Sequence, residues 1–109
     1  MIYILVGEDD ARQEYKLETI KENQEYDLLE RVDAAKIHQS TLLELLDSYS
    51  LFMEKNLIIV ENATFLSARN TTSIDPDKIV RRDPEYKIIF YKVPAKKLDS
   101  RKRAVKQLM

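Results

Sequence analysis

The chain has 109 residues, 44% of them hydrophobic and 34% charged, with a formal net charge of −1. That length supports one core and not two; the composition excludes a disordered segment, and the near balance of charge excludes a surface given over wholly to nucleic acid. Cysteine is absent, which removes disulfides, thiol nucleophiles and cysteine-based zinc sites and fits a reducing compartment.

The chain opens Met1-Ile2-Tyr3-Ile4-Leu5-Val6 and turns polar at Gly7-Glu8-Asp9. Six apolar residues without a basic flank are too short for a signal peptide or a membrane span. They fit a fully buried strand over 2–6, and a cytoplasmic protein is expected. Gly7, the single glycine, is expected to end the strand and allow a tight turn. Asp9 or Asp10 can cap a helix running to about Asn23, with Ala11, Tyr15 and Ile20 on its inner face. A weaker strand near 27–32 has the character of a sheet edge. Thr41-Leu42-Leu43-Glu44 has capping-box spacing and opens a leucine-rich helix ending near Ser48.

Leu57-Ile58-Ile59-Val60 is as apolar as the first strand and is expected at the sheet centre. Asp75-Pro76 is a helix start, with proline at the first helical position; Asp83-Pro84 breaks that helix. Tyr86 to Lys92 forms the fourth strand, and Asp99 can cap a final helix still running at Met109. Strands alternating with helices give an α/β fold with a mainly parallel sheet. A chain ending inside a helix is expected to be part of a longer polypeptide.

A strand, a glycine turn and a helix form the setting of nucleotide-binding loops. Here the loop has one glycine, no phosphate-binding lysine, and three successive acids, Glu8, Asp9 and Asp10. They oppose the partial positive charge of the helix N-terminus, so nucleotide binding and ATP hydrolysis are not expected. The run ending in Glu61-Asn62 lacks the Asp-Glu of a Walker B strand. No cofactor and no catalytic group are expected.

Two other chemistries compete. A phospho-receiver needs an acidic pair after the first strand, met by Asp9-Asp10, a phospho-accepting Asp after the third, where Glu61-Asn62 stands instead, and a late lysine, for which Lys92 is a partial match. A small nucleic-acid module would use the basic block of Lys96, Lys97, Arg101, Lys102, Arg103 and Lys106, with Arg101, Lys102 and Arg103 as possible DNA or phosphate contacts. No aromatic residue interleaves with that block to stack on bases. His38, in a polar connection, reads as a solvated loop residue.

Leu51-Phe52 lies between the leucine-rich helix and the strand over 57–61. Both neighbours carry enough apolar surface to fill a core. The pair therefore either finishes the core beneath the helix or projects outward as a docking site.

Taken in order, several residue sets resemble the N-terminal domain of the delta subunit of bacterial DNA polymerase III, the clamp-loader subunit that opens the sliding clamp. They are the strand leading into Gly7-Glu8-Asp9, Val32-Asp33-Ala34, the leucine helix leading to Ser50-Leu51-Phe52, Leu57 to Ala63 with Phe65-Leu66, and Lys97 to Lys102. The resemblance spans 1–109 as one domain. It implies a clamp-loader ATPase type of fold (AAA+-like, related to P-loop and Rossmann-like cores) without a working nucleotide site, and a non-catalytic component of DNA replication. It further implies that Leu51 and Phe52 enter the hydrophobic pocket of the sliding clamp (the beta subunit), flanked by Tyr49, Ser50 and Met53. Other clamp-loader subunits would be partners of a full-length protein, because the lid and collar domains of the family are missing here. A further family strand would pair beside residues 2–6, leaving them an exposed edge prone to self-association.

Overall fold

The computed structural model describes residues 1–47, 55–79, 87–99 and 101–102. Four parallel strands, β1 (Ile2–Val6), β2 (Leu28–Asp33), β3 (Asn56–Glu61) and β4 (Lys87–Val93), form one sheet in the order β1-β4-β3-β2. The helices are α1 (Asp10–Glu22), α2 (Gln39–Asp47) and the single turn α3 (Pro76–Ile79), with a 3-10 turn at Thr64–Leu66. The α/β fold with a parallel sheet is as the sequence predicts.

The layering follows from strand order. From β1 to β2 the chain crosses the whole sheet; from β2 to β3 and β3 to β4 it steps back. Right-handed crossovers then put α1 on one face and α2 and α3 on the other. Against α1, Leu17 packs with Leu5, Leu57, Ile59, Ile88 and Phe90. Against α2 and α3, Leu42, Leu46 and Ile79 pack with Ile58, Val60, Ile89 and Tyr91. Strands β3 and β4 are buried on both faces, which is why their sequences are apolar without alternation. The β2 edge, with four exposed residues in six, reads weakly for the converse reason.

Three expectations need correction. The inner face of α1 is not Ala11, Tyr15 and Ile20. Gln13 and Leu17 are buried there with Ile20 partly so, while Ala11 is exposed and Tyr15 is 76% exposed. A buried glutamine hides the stripe from any count of apolar residues. Helix α2 starts at Gln39, not at Thr41, with the Leu42 N–H donating to the His38 carbonyl. Strand β1 is not fully buried: it stands at the end of the strand order beside β4, and of its five residues only Leu5 is buried.

Asp9 does cap α1, accepting from the Arg12 N–H at 3.2 Å. Residues 67–74 form a loop held by its own side chains, among them Ser67 on the Thr64 carbonyl and Asn70 on that of Ile74. At Asp99 the described residues show a turn, with Oδ1 accepting from the Arg101 N–H. The helix expected beyond it and the Asp83-Pro84 break lie outside the described residues.

Candidate functional site

In a parallel α/β sheet, ligands are usually bound beyond the carboxyl ends of the strands, where crossovers diverge to opposite faces. Here that place is the crevice between the ends of β1 and β4, and a side chain fills it. The Gln13 amide nitrogen donates to the carbonyls of Gly7 at 2.7 Å, Val93 at 2.9 Å and Leu5 at 3.3 Å. The Gly7 N–H, a backbone donor that could meet a phosphate there, is engaged within the protein by the Val93 carbonyl. A shallow cleft of about 260 Å³ remains beside β1, with Glu8 and Asp9 at its mouth opposite Arg12 and Lys16.

One strand over, a charge network seals the same end of the sheet. The Lys92 side chain is 4% exposed. Its ammonium donates to Asp10 at 2.9 Å, to Glu61 at 3.2 Å and to Glu14. Arg31, from the β2 edge, bonds the same Glu14 at 2.8 Å and the same Glu61. Asp10 and Glu14 meet one lysine because a spacing of four puts them on one face of α1. Burial works to lower the Lys92 pKa, but hydrogen bonds to Glu14, Asp10 and Glu61 prevail and hold it above the ordinary lysine value. Hydrogen bonds from Arg31 and Lys92 lower Glu14 to about 2. Lys92 is therefore a fixed cation, neither nucleophile nor base, and the ammonium fills the point where three carboxylates converge.

The acids a receiver would need are likewise occupied. Asp9 is the cap, Asp10 holds Lys92, and Glu61 holds Lys92 and Arg31. Asn62 donates to Asp33 at 2.9 Å and lowers its pKa.

Of the basic block, Arg101 is clamped on Asp99 at 3.0 Å and Lys102 donates to the Phe65 carbonyl at 3.0 Å. Arg103 lies outside the described residues. So do Tyr49, Ser50, Leu51, Phe52 and Met53. The described structure gives their anchors: α2 ends at Asp47, and Lys55 is tied to Asp27 by an N–H to carboxylate bond and a return N–H to carbonyl bond, both 2.8 Å. Exposed His38 stands apart from the charge network, as its polar surroundings predict.

Sequence reasoning noted Asp10, Glu61 and Lys92 singly but missed that they meet, and missed Gln13, Glu14 and Arg31 altogether. The one available signal was the spacing of four between Asp10 and Glu14.

A four-stranded parallel sheet in the order β1-β4-β3-β2, with helices on both faces and the Gln13 amide in the crevice at its carboxyl end, defines an open-sheet α/β domain. Residues 3–109 match the model of the DNA polymerase III delta subunit family, and the chain belongs to that family. In fold it is similar to the Bacillus subtilis DNA clamp loader delta protein (YqeN), with a TM-score of 0.71 at 20% sequence identity. That alignment covers 98% of this chain and 35% of the B. subtilis protein, so the chain spans about a third of that relative's length. No curated protein matches the chain significantly. Among the described residues, no helix is long and apolar enough to cross a membrane.

Proposed function

We propose that this chain is the clamp-contacting part of a delta subunit, a non-catalytic replication component acting in the cytoplasm that docks on the sliding clamp and helps open it. The observation that carries the reading is the family match over residues 3–109, a span that contains Leu51 and Phe52. In this reading Leu51 and Phe52 enter an apolar pocket on the clamp, with Tyr49, Ser50 and Met53 around them; methionine suits an adaptable apolar contact. Contacts with other loader subunits belong to a longer chain.

The closed crevice supports a binding role over a catalytic one. Gln13 stands in the crevice bonded to three carbonyls, and Lys92 is held by Asp10, Glu14 and Glu61. A DNA contact by Arg101, Lys102 and Arg103 is the weaker reading, because Arg101 and Lys102 are engaged internally.

Burying a leucine and a phenylalanine contributes about 1.5–3 kcal/mol each. Replacing both with alanine is expected to weaken clamp binding by about two to four orders of magnitude. The test is clamp affinity measured alongside thermal stability. A folded double variant with unchanged affinity removes the docking role, and an unfolded one returns the pair to the core.

A further inference from the structure

Strands β3 and β4 run parallel side by side, so the stretches that follow them, 62–74 and 94–102, leave one end of the sheet together. Between them they carry Arg69, Lys96, Lys97, Arg101 and Lys102 against a single acid, Asp99, in a chain of net charge −1. The fold fastens the two stretches to each other. The Asp99 N–H donates to the Leu66 carbonyl and the Lys102 ammonium to the Phe65 carbonyl, both at 3.0 Å. A cleft of about 240 Å³ lies at the join, lined by Ala68 from the first stretch and Lys97, Leu98, Asp99 and Arg101 from the second.

Two of these cations are spent inside the protein. Arg101 holds the Asp99 carboxylate at 3.0 and 3.3 Å, which neutralises the one acid, and Lys102 is the donor to Phe65. Arg69, Lys96 and Lys97 are exposed, and none of them forms an ion pair among the described residues. Lys92 and Arg31, on the same sheet, each meet two or more carboxylates. Cations gathered without counter-charges repel one another and raise the local positive potential, which a polyanion relieves.

The surface is also preformed. The Thr64 and Thr71 hydroxyls bond at 2.9 Å, the Thr71 N–H donates to Thr64 Oγ1, and the Asn70 amide donates to the Ile74 carbonyl at 2.9 Å. The loop bearing Arg69 is thus held by its own side chains, and little ordering is left for binding to pay. Phe65, the one aromatic residue in either stretch, is buried, so no base can stack here as single strands do on their binders. What the cations can meet is a phosphate backbone.

We propose that Arg69, Lys96 and Lys97 form a contact surface for the phosphates of duplex DNA, bound without regard to base sequence. Charge complementarity fixes the occupant: unpaired cations on two fastened loops suit the dense, regular negative charge of a duplex. The inference is independent of the docking reading of Leu51 and Phe52, and its residues are other than Arg101, Lys102 and Arg103.

The experiment titrates the chain into a labelled mixed-sequence duplex, read by fluorescence anisotropy from about 50 to about 200 mM salt. Three phosphate contacts predict a slope of about −2.7 in log affinity against log salt, or about a fortyfold loss across that range. Arg69→Gln/Lys96→Gln/Lys97→Gln should bind at least about tenfold more weakly at the lower salt, with a flattened slope. Lys96→Arg/Lys97→Arg keeps the charge and should bind as the unaltered chain does. Arg12→Gln/Lys16→Gln/Lys36→Gln removes the same charge from exposed positions on α1 and after β2, and should bind nearly as well. All should melt alike; Arg69→Gln alone and the Lys96→Gln/Lys97→Gln pair carry the test where the triple variant does not fold.

No salt-dependent binding by the unaltered chain, or an unchanged slope in the folded triple variant, overturns the proposal. Equal weakening by the control triple overturns it in favour of net charge alone. Tighter binding to single strands than to the duplex overturns the duplex assignment. Polyglutamate bound as tightly as DNA, and lost in the same variant, assigns the surface to an acidic protein partner instead.

Discussion

Gln13 on α1 and Val93 at the end of β4 stand 80 positions apart in the chain and are joined by a 2.9 Å hydrogen bond from the glutamine amide to the valine carbonyl. With the bonds to Leu5 and Gly7, that amide fastens the first helix to the ends of two strands. The consequence is functional as well as structural, because the amide stands in the crevice where a ligand would sit in a related fold.

Replacing Gln13 with methionine keeps the volume and removes the donors, leaving the Leu5 and Gly7 carbonyls without this partner. A buried polar group stripped of its partner costs about 1–3 kcal/mol. Urea unfolding of Gln13→Met should show a loss in that range at an unchanged m-value.

Lys92 is buried with its charge matched by Asp10, Glu14 and Glu61. Lys92→Met leaves those carboxylates facing one another with Arg31 as their remaining cation. Removing one partner of a buried network costs about 3–5 kcal/mol, reduced here because the carboxylates reach solvent; a loss of about 2–4 kcal/mol is expected. The defect should shrink as pH falls, because part of what is lost is the Lys92 bond that lowers the Glu14 pKa, and that contribution disappears as Glu14 takes up its proton. A defect independent of pH would point to lost packing instead.

Glu14 makes acid sensitivity predictable. Its pKa falls from an ordinary 4.5 to about 2 in the folded protein. A depressed carboxylate stabilises the fold above its unfolded value, so the contribution is full above pH 4.5 and is lost as pH falls toward 2. With about a third of the side chain in water, roughly 1–2 kcal/mol is at stake. Glu14→Gln should be less stable than the unaltered chain at pH 6, and the two melting curves should converge by pH 2.5.

Gly7 invites a simpler test. Its φ is not positive, and an added Cβ would meet nothing nearer than the Gln13 amide nitrogen at 3.8 Å. Gly7→Ala should therefore fold, with stability unchanged or raised by up to about 1 kcal/mol through the unfolded chain. A melting temperature lowered by several degrees would show that the turn does need glycine.

The central strands were legible because burial on both faces leaves continuous runs such as Leu57 to Val60, and the Asp9 cap because a carboxylate one residue before a helix has a local job. The inner stripe of α1 was not legible, since periodicity counts apolar side chains and the residue at its centre is Gln13. Asp10 and Glu61 read as loose acids because a carboxylate looks the same whether it meets water or a lysine.

By itself the sequence determined the strand and helix alternation, the parallel class of the sheet and the family, because each is written in local pattern or in an ordered set of short motifs. Only the tertiary structure decided that the ligand crevice is plugged by Gln13, that Lys92 neutralises acids from α1 and β3, and that the loop holding Arg69 is fastened to the one holding Lys96 and Lys97. Those outcomes depend on which strand ends lie side by side, and long-range contact is set by topology, not by neighbours along the chain.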